Sequence, residues 1–448
     1  MNWNSFRAYD IRGVYPDEFD DDAAYRIGRA FATWLRGDGV AHDRIVMGRD
    51  VRLSSPSLSD AFAGGVTESG LGVADLGLST TDMVYFASGR LSLPGAMFTA
   101  SHNPAQYNGL KLCRSGAAPV GVETGLQEIR DLAERDPGRP EGRAGRREQV
   151  DMVEDYLEHL LSFADLEALA PLVVAADAAN GMAGLVVPAL FERLPCKLIP
   201  LYMDMDGTFP NHPADPIVPE NQADVKRAVT ENGADLGLAF DGDADRVFLV
   251  DEQAQGVSGS LVTALVAEGM LERYPGATIL HNIICSRTVP EVIREHGGTP
   301  IRTRVGHSYI KKVMAETGAV FGGEHSGHYY FRDHYNADSG LVASMVVMDQ
   351  MSKAGQPLSE LLEPLRRWRD SGEINTEVSD QQVVMGKISA AYPKERQDRM
   401  DGLTVEFEDW WFNVRPSNTE PLLRLNVEAR TEELLQEKTA EVLALIRG

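Results

Sequence analysis

The chain has 448 residues, of which 43% are hydrophobic and 25% charged, a composition typical of a folded globular protein. Its 67 acidic residues against 43 basic ones give a formal charge of −24, which argues against nucleic acid and anionic membranes as partners. The three cysteines lack metal-ligand spacing, the first residues lack a signal-peptide pattern, and no apolar run reaches the roughly 20 residues that span a bilayer. We therefore expect a cytoplasmic chain with reduced thiols and roughly three or four domains.

The first third of the chain alternates helical and strand-like patterns. Residues 23–35 place apolar side chains on one face of a helix, and residues 56–70 predict a second helix closed by glycine. Strands are predicted at 44–47 and 109–112, so the pattern indicates an α/β domain. The polar stretch 136–147, rich in Pro, Gly and Arg, predicts a linker.

A serine-containing loop follows an apolar run in this first domain. The run 94–98 gives way to Thr-Ala-Ser-His-Asn-Pro at 99–104, and Pro104 disfavours helical geometry at Asn103. The change predicts a short buried strand that ends with Ser101 at its mouth. A hydroxyl held there can carry a covalent group, whereas the plain alternative is a serine that caps an Asn-Pro turn.

Two further α/β units are predicted in the middle of the chain, because helical and strand patterns alternate twice more. No repeat is visible in the sequence itself, although the successive units have similar lengths. The predicted elements are helices at 152–163, after 180–184, from 261 and from 289, and strands at 172–177, 234–240, 247–250 and 278–284.

An acidic loop joins two predicted strands of the second unit. Its sequence, Phe-Asp-Gly-Asp-Ala-Asp-Arg, places Asp241, Asp243 and Asp245 at alternate positions, and alternate side chains of an extended loop point the same way. Three converging carboxylates predict a site for one divalent cation. The cation that fits best is a Mg²⁺ with free coordination positions for a phosphoryl oxygen. The alternatives are a solvated acidic turn and an EF-hand loop. The EF-hand needs glycine where Arg246 stands, and helices where strands are predicted.

A loop of glycines and histidines, Gly-Gly-Glu-His-Ser-Gly-His at 322–328, lies in the third unit. Its glycines allow the backbone to approach a ligand closely. Glu324 and Ser326 are suited to hydrogen bonds with vicinal sugar hydroxyls. The alternatives are a surface turn and a transition-metal site on the two histidines.

The pattern changes in the last part of the chain. Strands predicted at 402–407, 411–414 and 422–427 precede a helix at 432–446, which indicates a smaller, antiparallel α+β domain. Between two of these strands, Arg-Pro-Ser-Asn-Thr at 415–419 brings together a guanidinium, two hydroxyls and an amide. That composition predicts a phosphate cradle.

These four loops, in this order, resemble the motifs of the α-D-phosphohexomutase family. The opening Phe-Arg-Ala-Tyr-Asp-Ile-Arg-Gly at 6–13 is similar to that of its phosphomannomutase/phosphoglucomutase branch. The resemblance implies three similar α/β domains with a shared core and a smaller C-terminal α+β domain, all around one central cleft. We expect four domains, each with one of these loops. The predicted domains are 1–147 with the phosphoserine loop, 148–254 with the metal loop, 255–366 with the sugar loop and 367–448 with the phosphate loop.

The resemblance also implies a role for each matched residue. Ser101 is expected to carry the phosphoryl group and to contact the metal, and Asp241, Asp243 and Asp245 are expected to bind Mg²⁺. The residues expected to bind the substrate are Tyr9, Arg246, His307, Glu324, Ser326, Arg415, Ser417, Asn418 and Thr419.

Proton transfer and charge stabilisation are expected from the same cleft. We favour His328 for proton transfer, assisted by Lys111 and Arg12, because an imidazole titrates near neutral pH. His102 and His307 are the alternatives. The side chains expected to form a positively charged rim are Arg12, Lys111, Arg246 and Arg415.

The implied activity is the interconversion of hexose 1-phosphate and hexose 6-phosphate, with mannose, glucose or both as the sugar. Phospho-Ser101 donates to the free hydroxyl, the hexose 1,6-bisphosphate turns end for end, and Ser101 takes back the other phosphate. The expected partners are small sugar phosphates, with the bisphosphate as activator, and the expected state is a monomer or weak homodimer. The alternatives are a phosphoglucosamine mutase, a phosphatase that uses the same phosphoserine, and a catalytically silent sugar-phosphate-binding relative.

Overall fold

Four β-sheets follow one another along the chain in this computed structural model, which describes residues 3–37, 42–136, 138, 143–417 and 422–448. The first sheet contains β1 (Ile11–Val14), β2 (Arg44–Arg49), β3 (Gly72–Leu78), β4 (Gly95–Phe98), β5 (Tyr107–Arg114), β6 (Ala118–Pro119) and β7 (Arg147–Gln149). The second contains β8 (Val173–Asp177), β9 (Lys197–Leu201), β10 (Leu236–Phe240), β11 (Val247–Asp251) and β12 (Gly256–Val257). The third contains β13 (Thr278–Asn282), β14 (Thr299–Thr303), β15 (Phe321–Gly323), β16 (Tyr329–Phe331) and β17 (Ala337–Asp338). The fourth contains β18 (Arg369–Glu377), β19 (Gln397–Asp398), β20 (Leu403–Glu406), β21 (Trp410–Pro416) and β22 (Leu422–Ala429).

Helices accompany each sheet, and a sheet with its helices is called a unit below. The first unit has α1 (Asp21–Gly37), α2 (Ser55–Glu68), α3 (Thr81–Leu91) and α4 (Leu126–Arg135), and the second has α5 (Val153–Leu161), α6 (Ala183–Phe191) and α7 (Ala223–Asn232). The third has α8 (Gly259–Arg273), α9 (Thr288–Glu295), α10 (His307–Thr317), α11 (Gly340–Ala354) and α12 (Leu358–Leu362), and the fourth has α13 (Gln381–Ala391) and α14 (Glu432–Arg447). Short 3₁₀ helices lie at Trp3–Ser5, Ser115–Ala117, Val122–Thr124, Pro219–Gln222, Arg332–His334, Glu363–Leu365 and Lys394–Arg396.

The predicted elements are present, with ends that differ by a few residues. Ala24, Ile27 and Phe31 lie on one face of α1 and are fully buried, as the apolar spacing at 23–35 predicts. The described strands of the fourth sheet pair antiparallel, also as predicted. The other predicted helices correspond to α2, α5, α6, α8, α9 and α14, and the predicted strands to β2, β5, β8, β10, β11, β13, β20, β21 and β22.

The predicted linker at 136–147 differs from expectation at its end. Arg147–Gln149 forms β7, which pairs parallel with β3 and so extends the first sheet. Arg147 also forms ion pairs with Asp60 and Asp75 of the first unit, at 2.6 and 2.7 Å. The strand carries only exposed polar side chains, so it has no alternation of apolar residues that would reveal it in the sequence.

The first three units share one strand order. The neighbouring strands are β3–β2–β4–β5 in the first sheet, β9–β8–β10–β11 in the second and β14–β13–β15–β16 in the third. In each, the first three strands are parallel and the fourth is antiparallel to its neighbour. In each unit the last two of these four strands form a hairpin, which therefore occupies the same place in every unit. The hairpins are β4–β5, β10–β11 and β15–β16. These hairpins hold the serine loop, the acidic loop and the loop of glycines and histidines.

The hydrophobic core also sets the first three units apart from the fourth. One continuous cluster joins the first three units, for example through Met97, Val174 and Ile279. The fourth unit packs around a core of its own, which includes Phe412 and Val442. In the described ranges, no helix combines the length and apolarity that crossing a bilayer requires.

Candidate active site

Ser101 follows the fully buried strand β4 and faces the acidic loop. Its Oγ donates a hydrogen bond to Oδ2 of Asp241 at 2.6 Å, accepts one from Nη2 of Arg246 at 3.2 Å, and lies 3.2 Å from Nδ1 of His102. The residue is only 4% exposed, and its φ of 50° lies in the left-handed region that a serine seldom adopts. The side chain of Ser101 is thus fixed by hydrogen bonds at the end of a buried strand, the position that the sequence predicts.

The three aspartates of the acidic loop converge beside Ser101, although not by the predicted route. The loop is a turn in which Ala244 has a φ of 63°, so the assumption of an extended segment was wrong. One carboxylate oxygen from each of Asp241, Asp243 and Asp245 nonetheless lies within 4.8 Å of the others, and all three side chains are buried. Burial excludes a solvated turn, and the flanking strands β10 and β11 exclude an EF-hand, whose loop joins two helices.

Two buried cations neutralise part of this acidic cluster. Nζ of Lys111 lies 2.5 Å from Asp245 and 3.2 Å from Asp243, and Nε of Arg246 donates to Asp241 at 2.9 Å. Although burial opposes their charge, these carboxylates raise the pKa of Lys111 and of Arg246 above the ordinary values. Lys111 and Arg246 are 8% and 4% exposed, so the prediction that they stand on the rim of the cleft was wrong. They support the cluster from within, because a buried charge needs an opposite partner.

The donor set of the cluster fits a hard divalent cation. Oδ1 of Asp243 and Oδ1 of Asp245 are buried and have no hydrogen-bond partner among the residues that the structure describes. An unpaired buried carboxylate oxygen is costly, and a cation with oxygen ligands removes that cost. Burial, opposed by Arg246, raises the pKa of Asp241, and a cation would reverse that effect.

Glu324 is fixed by donors from three different places. Its carboxylate accepts hydrogen bonds from the side-chain amide of Asn282 at 3.2 Å, the backbone N–H of Gly306 at 3.1 Å and the hydroxyl of Tyr330 at 2.7 Å. The side chain is 2% exposed, so its orientation is set before any ligand arrives. A lone surface turn, the alternative at this loop, does not fit that burial.

His328 connects the third unit to the acidic loop. Its Nδ1 lies 3.0 Å from Oγ of Ser326 and 3.7 Å from Glu324, and its Nε2 lies 3.8 Å from Asp245. Its backbone also forms an antiparallel bridge with Arg246. The other histidine of the loop, His325, instead contacts Ser260 at 3.0 Å, so the two imidazoles face different partners.

The opening segment 6–13 crosses from the serine loop to the third unit. Arg12 donates to Oδ1 of Asn103 at 2.6 Å, next to Ser101. The ring of Tyr9 meets that of His307 edge-on, with centroids 5.3 Å apart. Burial raises the pKa of Tyr9 to about 12, so its phenol remains a hydrogen-bond donor at neutral pH.

A cavity of about 600 Å³ lies between the fourth unit and the rest of the site. Arg415 projects into it from β21 while its Nη2 contacts Glu373 at 2.6 Å. Asn418 and Thr419 lie outside the described residues, so their predicted place in the cradle has no structural counterpart here. Other residues around the cavity are Tyr9, Arg304, Arg399, Arg424 and Ser417.

Sequence reasoning missed several side chains that hold or complete this site. Thr81, at the first turn of α3, donates to Oδ2 of Asp243 at 2.6 Å, and no sequence pattern marks it. Tyr330 lies between two aromatic residues of β16, and Asn282 is the last residue of β13, so both resemble ordinary strand residues. Arg304 could have been found from the sequence, because this cation lies only three residues before His307, which was a predicted site residue.

Four family profiles cover most of the chain. They describe phosphoglucomutase/phosphomannomutase alpha/beta/alpha domains I, II and III, at residues 4–138, 154–256 and 258–367, and the C-terminal domain of the same proteins at 373–445. The chain belongs to this family. The resemblance to the α-D-phosphohexomutases and the fold of three α/β domains with a smaller fourth one are therefore confirmed.

Individual relatives agree with the family. A phosphomannomutase of Salmonella montevideo is 41% identical over the whole of both chains, and one of Escherichia coli K12 is 40% identical over 98% of each. A crystal structure of a phosphoglucomutase/phosphomannomutase family protein from Burkholderia thailandensis has a TM-score of 0.90 at 35% identity, covering 100% of this chain and 98% of that one. The similarity thus extends through all four units rather than one motif.

Proposed function

We propose that the chain is a phosphohexomutase that interconverts hexose 1-phosphate and hexose 6-phosphate through a phosphoserine at Ser101. The observation that carries the proposal is the convergence of three equivalent hairpins, which bring Ser101, the aspartates and Glu324 together beside a basic cavity. A hexose bisphosphate has a phosphate at each end, and this arrangement offers one place for the group in transfer and another for the group at rest. The names of the relatives favour mannose phosphate as one substrate.

The chemistry that we propose begins with a phosphorylated Ser101. The bond between phosphorus and Oγ breaks and a bond to the free hydroxyl of the hexose monophosphate forms. The hydroxyl proton passes to His328, and the departing Oγ takes up a proton from solvent. After the bisphosphate turns, Oγ releases its proton to solvent as it takes the other phosphoryl group, and His328 returns its proton to the sugar oxygen that is left. Arg246 is placed to donate to the transferring oxygens, since its Nη2 lies 3.2 Å from Oγ.

We infer that Asp241, Asp243 and Asp245 would hold a Mg²⁺ beside a phosphorylated Ser101. When bound, the ion neutralises charge on the transferring group. The chain's own part is to keep the carboxylates apart and oriented, through Thr81 on Asp243 and Lys111 between two of them. A preformed cluster of this kind needs no reorganisation during the reaction.

The sugar is proposed to lie between the serine and the cavity. Glu324 and Ser326 would hold the hydroxyls at carbons 3 and 4, which glucose and mannose share, so both sugars should be accepted. Arg415 and Ser417, with Asn418 and Thr419, would bind the phosphate at rest. Arg304, Arg399 and Arg424 would add charge there, and a set of guanidinium groups reads a dianion rather than the sugar attached to it.

The test is to incubate the protein with glucose 1-phosphate or mannose 1-phosphate, Mg²⁺ and a trace of glucose 1,6-bisphosphate, and to separate hexose 6-phosphate from inorganic phosphate. We expect hexose 6-phosphate with either sugar. Ser101→Ala should form none, and intact mass should show one phosphate on the wild type and none on the variant. Release of inorganic phosphate alone would identify a phosphatase, and reaction only with an amino sugar would identify a phosphoglucosamine mutase.

We place the enzyme in the cytoplasm, as a monomer or weak homodimer. All three cysteines are free and buried, as befits a chain that folds in a reducing compartment. Sedimentation over a range of protein concentrations measures the oligomeric state. A stable tetramer at low concentration would contradict this part of the proposal.

A further inference from the structure

A fully buried arginine supports the serine loop from behind. Arg52 lies between β2 and α2, is 0% exposed, and directs its guanidinium at backbone carbonyl groups of that loop. Nη1 donates to the carbonyls of Pro104 at 2.7 Å and Tyr107 at 3.0 Å, while Nη2 donates to those of Ser101 at 2.8 Å and Asn103 at 2.6 Å. One side chain therefore gathers four carbonyls from a seven-residue stretch of the chain.

Arg52 is itself held on two sides. Its Nε donates to Oδ2 of Asp50 at 3.1 Å and its backbone N–H to Oδ1 at 3.0 Å, while Ser55 donates to the same carboxylate at 2.5 Å. The ring of Phe209, from a loop of the second unit, lies 5.1 Å from the guanidinium carbon. Contact with an aromatic face stabilises a buried guanidinium.

This geometry constrains the serine directly. Ser101 has left-handed backbone geometry, which costs energy for a residue with a side chain and persists only where its surroundings impose it. Its carbonyl oxygen lies between Arg52 and the acidic loop, because a Cβ on Gly242 would come within 2.5 Å of that oxygen. Arg52 thus holds the carbonyl of the same residue whose Oγ donates to Asp241 at 2.6 Å.

We propose that Arg52 is a positioning residue for phosphoryl transfer, which sets the backbone of Ser101, and that Phe209 of the second unit keeps it in place. The inference rests on the proposed function, since it assigns Arg52 a part in the reaction of Ser101. The planar guanidinium group of an arginine has five N–H donors and can bind carbonyl groups on two sides at once. A lysine carries the same charge but only three donors on one nitrogen, so it cannot hold all four carbonyls.

The experiment compares Arg52→Lys with Arg29→Lys as a matched control. Arg29 is another buried arginine of the first unit, paired with Asp136 at 3.0 Å and located on α1 away from the serine loop. Both variants lose a buried guanidinium, but only Arg52→Lys releases the loop. Three quantities are measured for each: the kcat and KM for hexose 1-phosphate, the phosphate bound to Ser101, and amide hydrogen exchange at 101–107.

We expect Arg52→Lys to lower kcat about 100-fold, because a reacting atom displaced by an ångström costs a factor of this order. The KM should stay within about threefold of the wild type, since the sugar loop and the phosphate cavity are untouched. Amide exchange at 101–107 should rise in Arg52→Lys and remain unchanged in Arg29→Lys. In Arg52→Ala, added guanidinium should restore part of the kcat, whereas ammonium should not.

Several results would overturn the inference. One is a folded Arg52→Lys variant with a wild-type kcat and unchanged amide exchange. Another is a loss of kcat in Arg29→Lys as large as the loss in Arg52→Lys. If Arg52→Lys does not fold, Phe209→Leu replaces it, with a smaller loss of kcat and the same rise in exchange expected, and a wild-type result there is equally fatal. If the wild type transfers no phosphate, the proposed function fails, while hydrogen exchange still decides whether Arg52 holds the loop.

Discussion

The histidines around Ser101 differ in what their surroundings do to them. Burial, reinforced by Arg246 and Arg12, lowers the pKa of His102 well below its ordinary value, and burial lowers the pKa of His307 to about 3. Both shifts favour the neutral form of these two rings. His328 has a different setting, since its side chain is 22% exposed and both ring nitrogens face carboxylates.

His328→Asn should therefore slow the reaction and change how kcat depends on pH. A group that accepts the sugar proton must be unprotonated when the transfer begins, so its removal takes one proton-dependent step out of the reaction. His307→Asn, the comparison, should be slower but keep the wild-type dependence on pH. An unaltered profile in His328→Asn would move the proton transfer to another group.

Asp243 offers the sharpest test of the metal site. Asp243→Asn keeps the hydrogen bond from Thr81 but removes the charge beside an unpaired buried oxygen. The Mg²⁺ concentration for half-maximal activity should rise on the order of 10–100-fold. Mg²⁺ should also raise the melting temperature of the wild type more than that of the variant, because a ligand stabilises the fold it binds. Asp206→Asn, whose carboxylate accepts hydrogen bonds from Thr208, is the control and should respond like the wild type. Full activity after exhaustive chelation would contradict the site.

The residues that we propose to carry the chemistry could be selected from the sequence, whereas those that hold them in place could not. Ser101 and Glu324 stand out because a polar group follows an apolar run or lies between glycines. Arg52 and Tyr330 act through the backbone or through another side chain, and their sequence neighbours are compatible with many roles. What identifies them is burial together with a partner far away in the chain, as in the contact of Arg52 with Asn103, and a single sequence does not contain that information.

At the level of elements, one hairpin position supplies three loops of the site. The strands before two of these loops, β4 and β10, are apolar runs in the sequence, and this is why the α/β class was predictable. β15 was not predicted, because its two glycines were assigned to the loop at 322–328. The shared strand order was not predictable either, since it depends on which strands pair. α3 and α11 also escaped prediction. In α11, apolar residues surround most of the helix, and such a segment lacks the one-sided spacing that reveals an amphipathic helix.

Arg415 lies near the end of β21 and lines the cavity, and its replacement should affect binding more than chemistry. Arg415→Ala should weaken the binding of hexose 1-phosphate by about 2–4 kcal/mol, the usual loss for a charged contact with a phosphate. The kcat should change much less, because the phosphate bound there is not being transferred. Isothermal titration and steady-state kinetics measure the two effects. A large fall in kcat with an unchanged Kd would assign Arg415 to the transfer step.

Glu373, on β18 of the same sheet, provides the matching control. Its carboxylate contacts Arg415 at 2.6 Å and Arg424 at 3.3 Å, so it competes with a phosphate for both guanidinium groups. Glu373→Gln should therefore tighten the binding of hexose 1-phosphate, opposite in sign to Arg415→Ala. Weaker binding in Glu373→Gln would show that the carboxylate orients Arg415 rather than competing for it.

At the scale of the whole molecule, the chain is acidic overall, whereas arginines surround the cavity proposed to bind phosphate. The chain carries a net charge of −24, yet four arginines, Arg304, Arg399, Arg415 and Arg424, surround the cavity. Charges beyond about 8 Å are largely screened at physiological ionic strength, so these local cations decide whether a phosphate binds. Three of them belong to the fourth unit and one to the third, so the position of the fourth unit determines how tightly they gather.

The separate core of the fourth unit predicts that it closes over the substrate. Its contacts with the third unit are largely polar: Arg302 pairs with Glu406 at 2.5 Å and with Asp398, and Asp401 accepts the N–H of Val305 at 3.0 Å. Ion pairs at a surface are weak and can rearrange, whereas the continuous core of the first three units cannot. A bisphosphate held at Ser101 and at Arg415 would draw the two sides together.

Spin labels measure this closure directly. All three native cysteines are buried, so labels can be placed at exposed Leu166 of the second unit and Val383 of the fourth, each replaced by cysteine. We expect the distance between them to shorten and its distribution to narrow when glucose 1,6-bisphosphate binds. A control pair at Leu166 and Leu53, both within the first two units, should not respond because one hydrophobic core joins them. An unchanged Leu166–Val383 distance with saturating ligand would show that the cavity binds phosphate without domain motion, and the reorientation of the bisphosphate would then have to occur in a cleft of fixed width.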